Sequence, residues 1–191
     1  MNKTRLETFC DGVIAIIITI MVLEMKVPHG SEWNDLKGLL PVFLSYVMSF
    51  IYLGIYWGNH HHLMHAITKV TSGIIWSNLN LLFWLSLIPF STAWMGENHF
   101  ANNTVALYSV SLLMPALAWY ILQSLVIKHQ LHPAEFEIAH RKQNRKGQIS
   151  LICYLLSIVF SFIYPIVSGV FIVGVALMWI IPDKNIEKVF K

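Results

Sequence analysis

Arg5-Leu6-Glu7-Thr8-Phe9-Cys10-Asp11-Gly12-Val13-Ile14-Ala15-Ile16-Ile17-Ile18-Thr19-Ile20-Met21-Val22-Leu23 is an apolar segment with an arginine, a phenylalanine and an aspartate at fixed spacing near its start. About 20 apolar residues are needed to cross a hydrocarbon core of about 30 Å, and this run meets that length. An ionisable group inside such a span is costly and marks a functional segment by default. The run continues into Glu24-Met25-Lys26-Val27-Pro28 without a small-residue cleavage site, so it is expected to be retained as a helix rather than removed as a leader. The other spans are expected to be built around it.

Of the 191 residues, 56% are hydrophobic and 12% charged, against about 45–50% and about 25% in a soluble domain. This composition describes an all-α integral membrane protein with one compact helical domain over residues 1–191. The net charge of +3 does not argue for nucleic acid, because the basic residues sort by membrane side. Cys10 and Cys153 lie in or beside apolar runs and read as small buried hydrophobes, not a disulfide or metal framework.

The same length criterion gives spans at roughly 8–26, 39–62, 73–95 and 104–127, then a tighter pair at roughly 149–164 and 166–181. Tyr164-Pro165 supplies the break in that pair; one long kinked helix is the alternative. Topology decides between them. Lys128, Arg141, Lys142, Arg145 and Lys146 cluster in the one long loop. Lys3 and Arg5 precede the first helix, Lys69 follows the second, and Lys184, Lys188 and Lys191 form the tail. Six spans with both termini cytoplasmic put all of these inside, as the positive-inside rule requires. Five would put the tail outside. The loop from Lys128 to Gln148 reads as a solvated connector, with Pro133 to Lys142 capable of a short surface helix.

No phosphate-binding glycine loop, zinc-binding His-Glu-x-x-His helix or paired intramembrane carboxylates occur, so an enzyme is not expected. The run Asn59-His60-His61-His62-Leu63-Met64-His65 puts His61 and His65 on one helical face. Two ligands do not complete a metal site, and the reading preferred is one buried histidine with the others facing headgroups or water. Asn59 and His60 at the inner end of the second helix, and Asn78 and Asn80 at that of the third, lie at the depth of Asp11. Buried polar groups find partners, so Asp11 is expected to bond with Asn and His from these helices.

At 100° per residue, Ile16, Thr19, Ile20 and Leu23 fall in a stripe about 100° wide, with Gly12 beside it and Phe9 at its edge. Asp11 is about 140° from Ile16. The carboxylate should therefore face the subunit's own helices, and the aliphatic stripe something else. Taken alone, that something is lipid or core.

Arg5-x3-Phe9-x-Asp11-Gly12 resembles the Arg-x3-Phe-Ser-Asp signature of the TMEM175 family of potassium channels. Tyr56-Trp57-x2-His60-His61, Asn80-Leu81-Leu82-Phe83 and Leu87-Ile88-Pro89-Phe90 fit the same family, so the resemblance spans the first half of the chain. Cys10 stands where the family usually has serine. The resemblance implies a homotetramer whose pore is lined by the first helix of each subunit, with no re-entrant carbonyl filter. It implies a constriction at Ile16, with Ile20 and Leu23 further out and Thr19 as a hydroxyl ring. Arg5, Phe9, Asp11, Gly12, Trp57, His60 and Asn80 become a scaffold network, and Glu24 stands at the outer mouth with Lys26 on its other flank.

The function expected is a potassium-permeable cation channel of the cell membrane. Its partners are membrane lipid, monovalent cations and copies of itself, and no cofactor or metal is expected beyond permeant K⁺. The rival is a secondary transporter or metal-ion carrier using Asp11 and the His60–His65 run. Such a carrier predicts inverted repeats, which the sequence does not display. A membrane-bound enzyme or haem protein with histidine ligands is the remaining alternative.

Overall fold

Asn2 starts the first helix: its side chain accepts the Arg5 amide at 2.9 Å, satisfying one of the free N–H groups of the opening turn. The computed structural model describes residues 2–65, 67, 69–128 and 133–180, with side chains from 143 onward in the helix that begins at Pro133. Seven α-helices occur among these residues: α1 (Lys3–Ile20), α2 (Leu40–His65), α3 (Ser72–Ser86), α4 (Ile88–Glu97), α5 (Asn102–Lys128), α6 (Pro133–Ser161) and α7 (Pro165–Ile180). Short 3-10 segments at Met21–Glu24 and Trp33–Leu39 prolong α1 and precede α2.

Four stretches among the described residues are long and apolar enough to cross a membrane: Lys3–Leu23, Trp33–His65, Ser72–Glu97 and Asn102–Lys128. The first begins at Lys3, five residues ahead of its expected start. The span expected at 73–95 is two helices with a joint at Leu87. Pro89 has no amide hydrogen for the helical ladder, and Leu87 N–H turns to Trp84 O at 3.3 Å, a tighter bond across three residues.

The last pair has its break where expected and departs in where its first helix starts. Residues 162–164 form a turn and Pro165 opens α7 at the position where its missing N–H costs nothing. The two helices form a hairpin, not one kinked rod. Ser157 meets Ser168 at 2.5 Å, Trp179 Nε1 donates to Ser150 Oγ at 2.9 Å, and Lys146 Nζ donates to Met178 O at 3.1 Å. These bonds fix the antiparallel register. α6 begins at Pro133 rather than 149, so the basic stretch read as a connector continues without a break into the apolar helix.

α5 packs on α3, α4 and α6; α6 packs on α7 and α2 on α4. Hydroxyl pairs lock this interior: Ser49 with Thr92 at 2.6 Å and Tyr108 at 2.8 Å, Ser91 with Ser111 at 2.7 Å, and Ser109 with Ser157 at 2.7 Å. Interhelical hydrogen bonds and small residues hold helices together where lipid removes the hydrophobic drive between them. Gly96 shows how close the backbones come. A Cβ there would lie 2.7 Å from Val42 Cα and 2.5 Å from Ser45 Oγ. Gly96→Ala must push α2 from α4, and is expected to cost about 1–3 kcal/mol as overpacking does. A thermal midpoint unchanged from wild type would show that the contact yields freely.

α1 packs on this frame by one face. Leu6, Cys10, Ile14, Ile17 and Met21 are buried, and the helix touches α2 and α3.

Candidate functional site: the first helix and its anchors

The buried face of α1 carries a polar joint about two turns from its start. Asn78, fully buried on α3, donates Nδ2 to Cys10 Sγ at 3.0 Å. Its Oδ1 lies 2.8 Å from His60 Nε2 on α2. Since the Asn78 amide nitrogen is turned to the sulfur, its oxygen accepts, and His60 carries its proton on Nε2. His60 is the buried histidine of the run, 1% exposed. His61 and His65 are exposed and stack edge to face with ring centroids 4.4 Å apart. Among the described residues no three His, Cys, Asp or Glu side chains group as metal ligands do.

Asp11 does not join that joint. Its Oδ1 accepts from Trp57 Nε1 at 3.0 Å, so the carboxylate faces α2 of its own subunit while half-buried. Trp57 and His60 are three positions apart, and one turn of α2 thus holds α1 directly through Asp11 and indirectly through Asn78. Lys3 Nζ donates to His65 O at 2.8 Å, tying the start of α1 to the last turn of α2. Asn80 lies exposed on α3, outside these bonds. Arg5 and Phe9 border a shallow surface groove with Asn2, Thr4 and Thr8, and a Cβ on Gly12 would meet nothing within 4 Å.

On the opposite side α1 is bare. Ile16 is 60% exposed, Ile20 39% and Leu23 78%, with Thr19 exposed between them. Thr19 Oγ1 donates to the carbonyls of Ala15 and Ile16, both at 3.0 Å. Its hydrogen is directed at the helix, which leaves the oxygen lone pairs outward. The switch to 3-10 geometry at Met21 turns each residue about 120° rather than 100°. Leu23 therefore rotates toward the Ile20 side of the stripe. Beyond it, Lys26 Nζ bonds Glu97 Oε1 on α4 at 2.7 Å. That hydrogen bond and the Glu97 charge raise the Lys26 pKa above its ordinary value. The cation flanking Glu24 is thus matched by Glu97, and Glu24 stays exposed.

Comparison with known proteins is consistent along the chain. Residues 5–89 match the family model "Endosomal/lysosomal potassium channel TMEM175". A potassium channel of Chryseobacterium sp. (strain P1-3) is 53% identical over 192 residues, covering 100% of this chain and 99% of that one. This chain belongs to the TMEM175 family. The crystal structure of a lysosomal potassium-selective channel TMEM175 homolog from Chamaesiphon minutus superposes with a TM-score of 0.77 at 25% identity, over 93% of this chain and 95% of the other. The endosomal/lysosomal proton channel TMEM175 of Gallus gallus is 32% identical over 103 residues, 48% of this chain and 21% of its own. The family is thus one of potassium and proton channels in membranes, and the relatives carry the names of channels, not enzymes.

For this TMEM175-family protein, two features of the anchoring of α1 escape sequence reasoning. Cys10 is a hydrogen-bond acceptor, not only a packing group. The partner of Asp11 is Trp57, since helical spacing gives a residue's azimuth on its own helix but not which neighbour it meets. Asp11→Asn keeps an oxygen for Trp57 but removes the charge that strengthens the bond. It is expected to lower the intact oligomer recovered from detergent and leave the K⁺/Na⁺ reversal potential within error of wild type. A shifted reversal potential with normal recovery would move Asp11 into the ion path.

Proposed function

We propose that this protein is a potassium-permeable cation channel of the bacterial cell membrane, a homotetramer of six-span subunits with both termini cytoplasmic. The six spans are α1, α2, α3 with α4, α5, α6 and α7, forming a single channel domain. The pore is lined by α1 from each subunit. Ile16, Ile20 and Leu23 form a hydrophobic constriction, Thr19 adds a ring of oxygens, and no re-entrant carbonyl loop takes part. Arg5, Phe9, Asp11, Gly12, Trp57, His60 and Asn80 act as scaffold, and Glu24 stands at the outer mouth.

The observation that carries this reading is the division of α1. One face is buried and anchored to α2 and α3, and the other exposes a stripe of branched side chains with one outward hydroxyl oxygen. A lipid-facing helix has no use for the four polar anchors found at Lys3, Cys10, Asp11 and Lys26. A pore helix needs them, because a constriction only works if its position is set. The outer surface of α3 and α4 supports assembly as well. Trp76, Asn80, Phe83 and Phe90 are exposed along one face. An exposed asparagine at membrane depth favours a protein neighbour able to hydrogen-bond it.

Aliphatic rings gate by dewetting: water leaves a narrow apolar neck and the ion faces a desolvation barrier until the helices turn or part. Thr19 oxygens replace a little of the lost hydration. Four hydroxyls give only modest selectivity, so Thr19→Ala is expected to reduce the K⁺/Na⁺ permeability ratio by about twofold to fivefold while preserving current, within the about 1 kcal/mol of one hydrogen-bond contribution. Purified protein in planar bilayers decides the main question. Unitary current steps in K⁺ support a channel, and saturable, proton- or metal-coupled flux without steps supports the carrier. No observation favours the carrier, because Asp11 and His60 are both committed to partners inside the subunit.

A further inference from the structure

A cavity lies inside the subunit, away from α1, between α2, α5, α6 and α7. Counted out to its open mouth it spans about 610 Å³ of non-atom space, open surroundings included. Its cavity volume is about 50 Å³. That is space for a few waters, since a water needs about 10–15 Å³, so a ring would sit partly in the open mouth.

The walls are aromatic: Tyr52, Tyr56, Trp119, Tyr154 and Trp179. Tyr56 and Trp119 stand edge to face with centroids 6.2 Å apart, and Tyr52 and Tyr154 at 6.3 Å. Amides from three helices also line the space. Gln123 Nε2 donates to Gln143 Oε1 at 3.1 Å, and Gln143 Nε2 donates to Asn59 Oδ1 at 3.4 Å. The described lining includes no Asp, Glu, Lys, Arg or His. Lys146 Nζ lies 5.8 Å from the Trp179 ring centroid and donates to Met178 O; a charged ligand inside would lose hydration with no charged side chain lining the space to face it. Aromatic faces beside a few amides fit a ring with one uncharged hydrogen-bonding group.

We propose that this cavity is a binding site for a small uncharged amphiphile, a single ring bearing one amide or hydroxyl, and that its occupancy biases the pore helix. The link is one turn of α2. Tyr52, Ile55, Tyr56 and Asn59 line the cavity, while Trp57 and His60, about 100° round the same helix, hold α1 through Asp11 and Asn78. A ligand that shifts Tyr56 or Asn59 moves the backbone that also carries Trp57. The binding claim is independent of the pore reading; only its effect on current rests on that reading.

Gly147 provides the test, because it lines the cavity and a Cβ there meets nothing within 4 Å. Gly147→Leu should fill the space without moving the helix, and Gln123→Leu removes an amide while keeping its bulk. Fluorobenzamide is titrated into wild type and both variants in lipid nanodiscs and followed by fluorine NMR, with empty nanodiscs as the partition control. Saturable binding in wild type that weakens at least about tenfold in Gly147→Leu and in Gln123→Leu supports the site. Binding indistinguishable from empty nanodiscs, or equal in all three proteins, overturns it. If Gly147→Leu does not fold, as judged by its thermal midpoint, Gln123→Leu alone decides on the same criterion. In bilayers, fluorobenzamide should change wild-type open probability and leave Gly147→Leu unaffected. Saturable binding without any change in current defeats the coupling, and K⁺ currents without binding defeat the site while the channel reading stands.

Discussion

Ile16→Asn is expected to raise current through the open and resting channel and to bring the K⁺/Na⁺ permeability ratio close to one. The side chain is 60% exposed on a helix whose other face is buried; in the proposed ring of four subunits it would meet its own copies and water. An isoleucine ring leaves ions nothing to coordinate and lets water retreat; this is the barrier of a dewetted neck. Asparagine brings a donor and an acceptor of similar bulk, so the neck rehydrates without widening much. Each 1.4 kcal/mol taken from the ion's barrier is worth about tenfold in conductance, and rewetting is expected to give at least that. Ion selection falls at the same time, because hydrated ions pass with their shells. The measurement is unitary conductance and reversal potential in asymmetric K⁺/Na⁺. Leu23→Asn should act more weakly, since the 3-10 turn displaces it from the α-helical azimuth. If Ile16→Asn changes neither quantity, the stripe faces lipid or a neighbouring subunit and the constriction lies elsewhere.

The contrast between the two faces of α1 was legible from spacing alone, because a 100° step separates Asp11 from Ile16 whatever surrounds the helix. Its meaning was not. Exposure on a protomer is the same for lipid and for a water-filled neck, and family membership is what favours the second. The start of α6 was hidden for another reason. Hydropathy reports which residues tolerate lipid, not which are helical, so Pro133 to Gln148 looked like a loop although its backbone joins the following span. The joint at Leu87 was signalled by Pro89 but overridden by the unbroken apolar run around it. Cys10, Asn78 and His60 were each recognisable as polar or buried. Their pairing depends on how three helices are rotated against one another, and no single-helix periodicity contains that.

Asn78→Leu is expected to have the largest effect on assembly, because Asn78 is the one residue that bonds both neighbours of the joint. It is 0% exposed and spans His60 Nε2 at 2.8 Å and Cys10 Sγ at 3.0 Å. Leucine matches its volume but leaves the His60 N–H buried without an acceptor, at a cost of about 1–3 kcal/mol per subunit. In the proposed tetramer each subunit would carry that cost, so the intact oligomer should fall well below wild type in size-exclusion profiles and its thermal midpoint should drop. Simple cavity or bulk effects are separated by a double-mutant cycle with His60→Leu. If the two groups act as a bonded pair, removing both costs less than the sum, with a coupling of about 0.6–1.7 kcal/mol, the range found for interhelical bonds in membranes. Cys10→Ser gives the third arm: a hydroxyl accepts more strongly than a thiol, so the midpoint should hold or rise. Additive losses with His60→Leu, together with a normal oligomer in Asn78→Leu, would mean that α1 is held by its apolar face and that the polar joint only fills space.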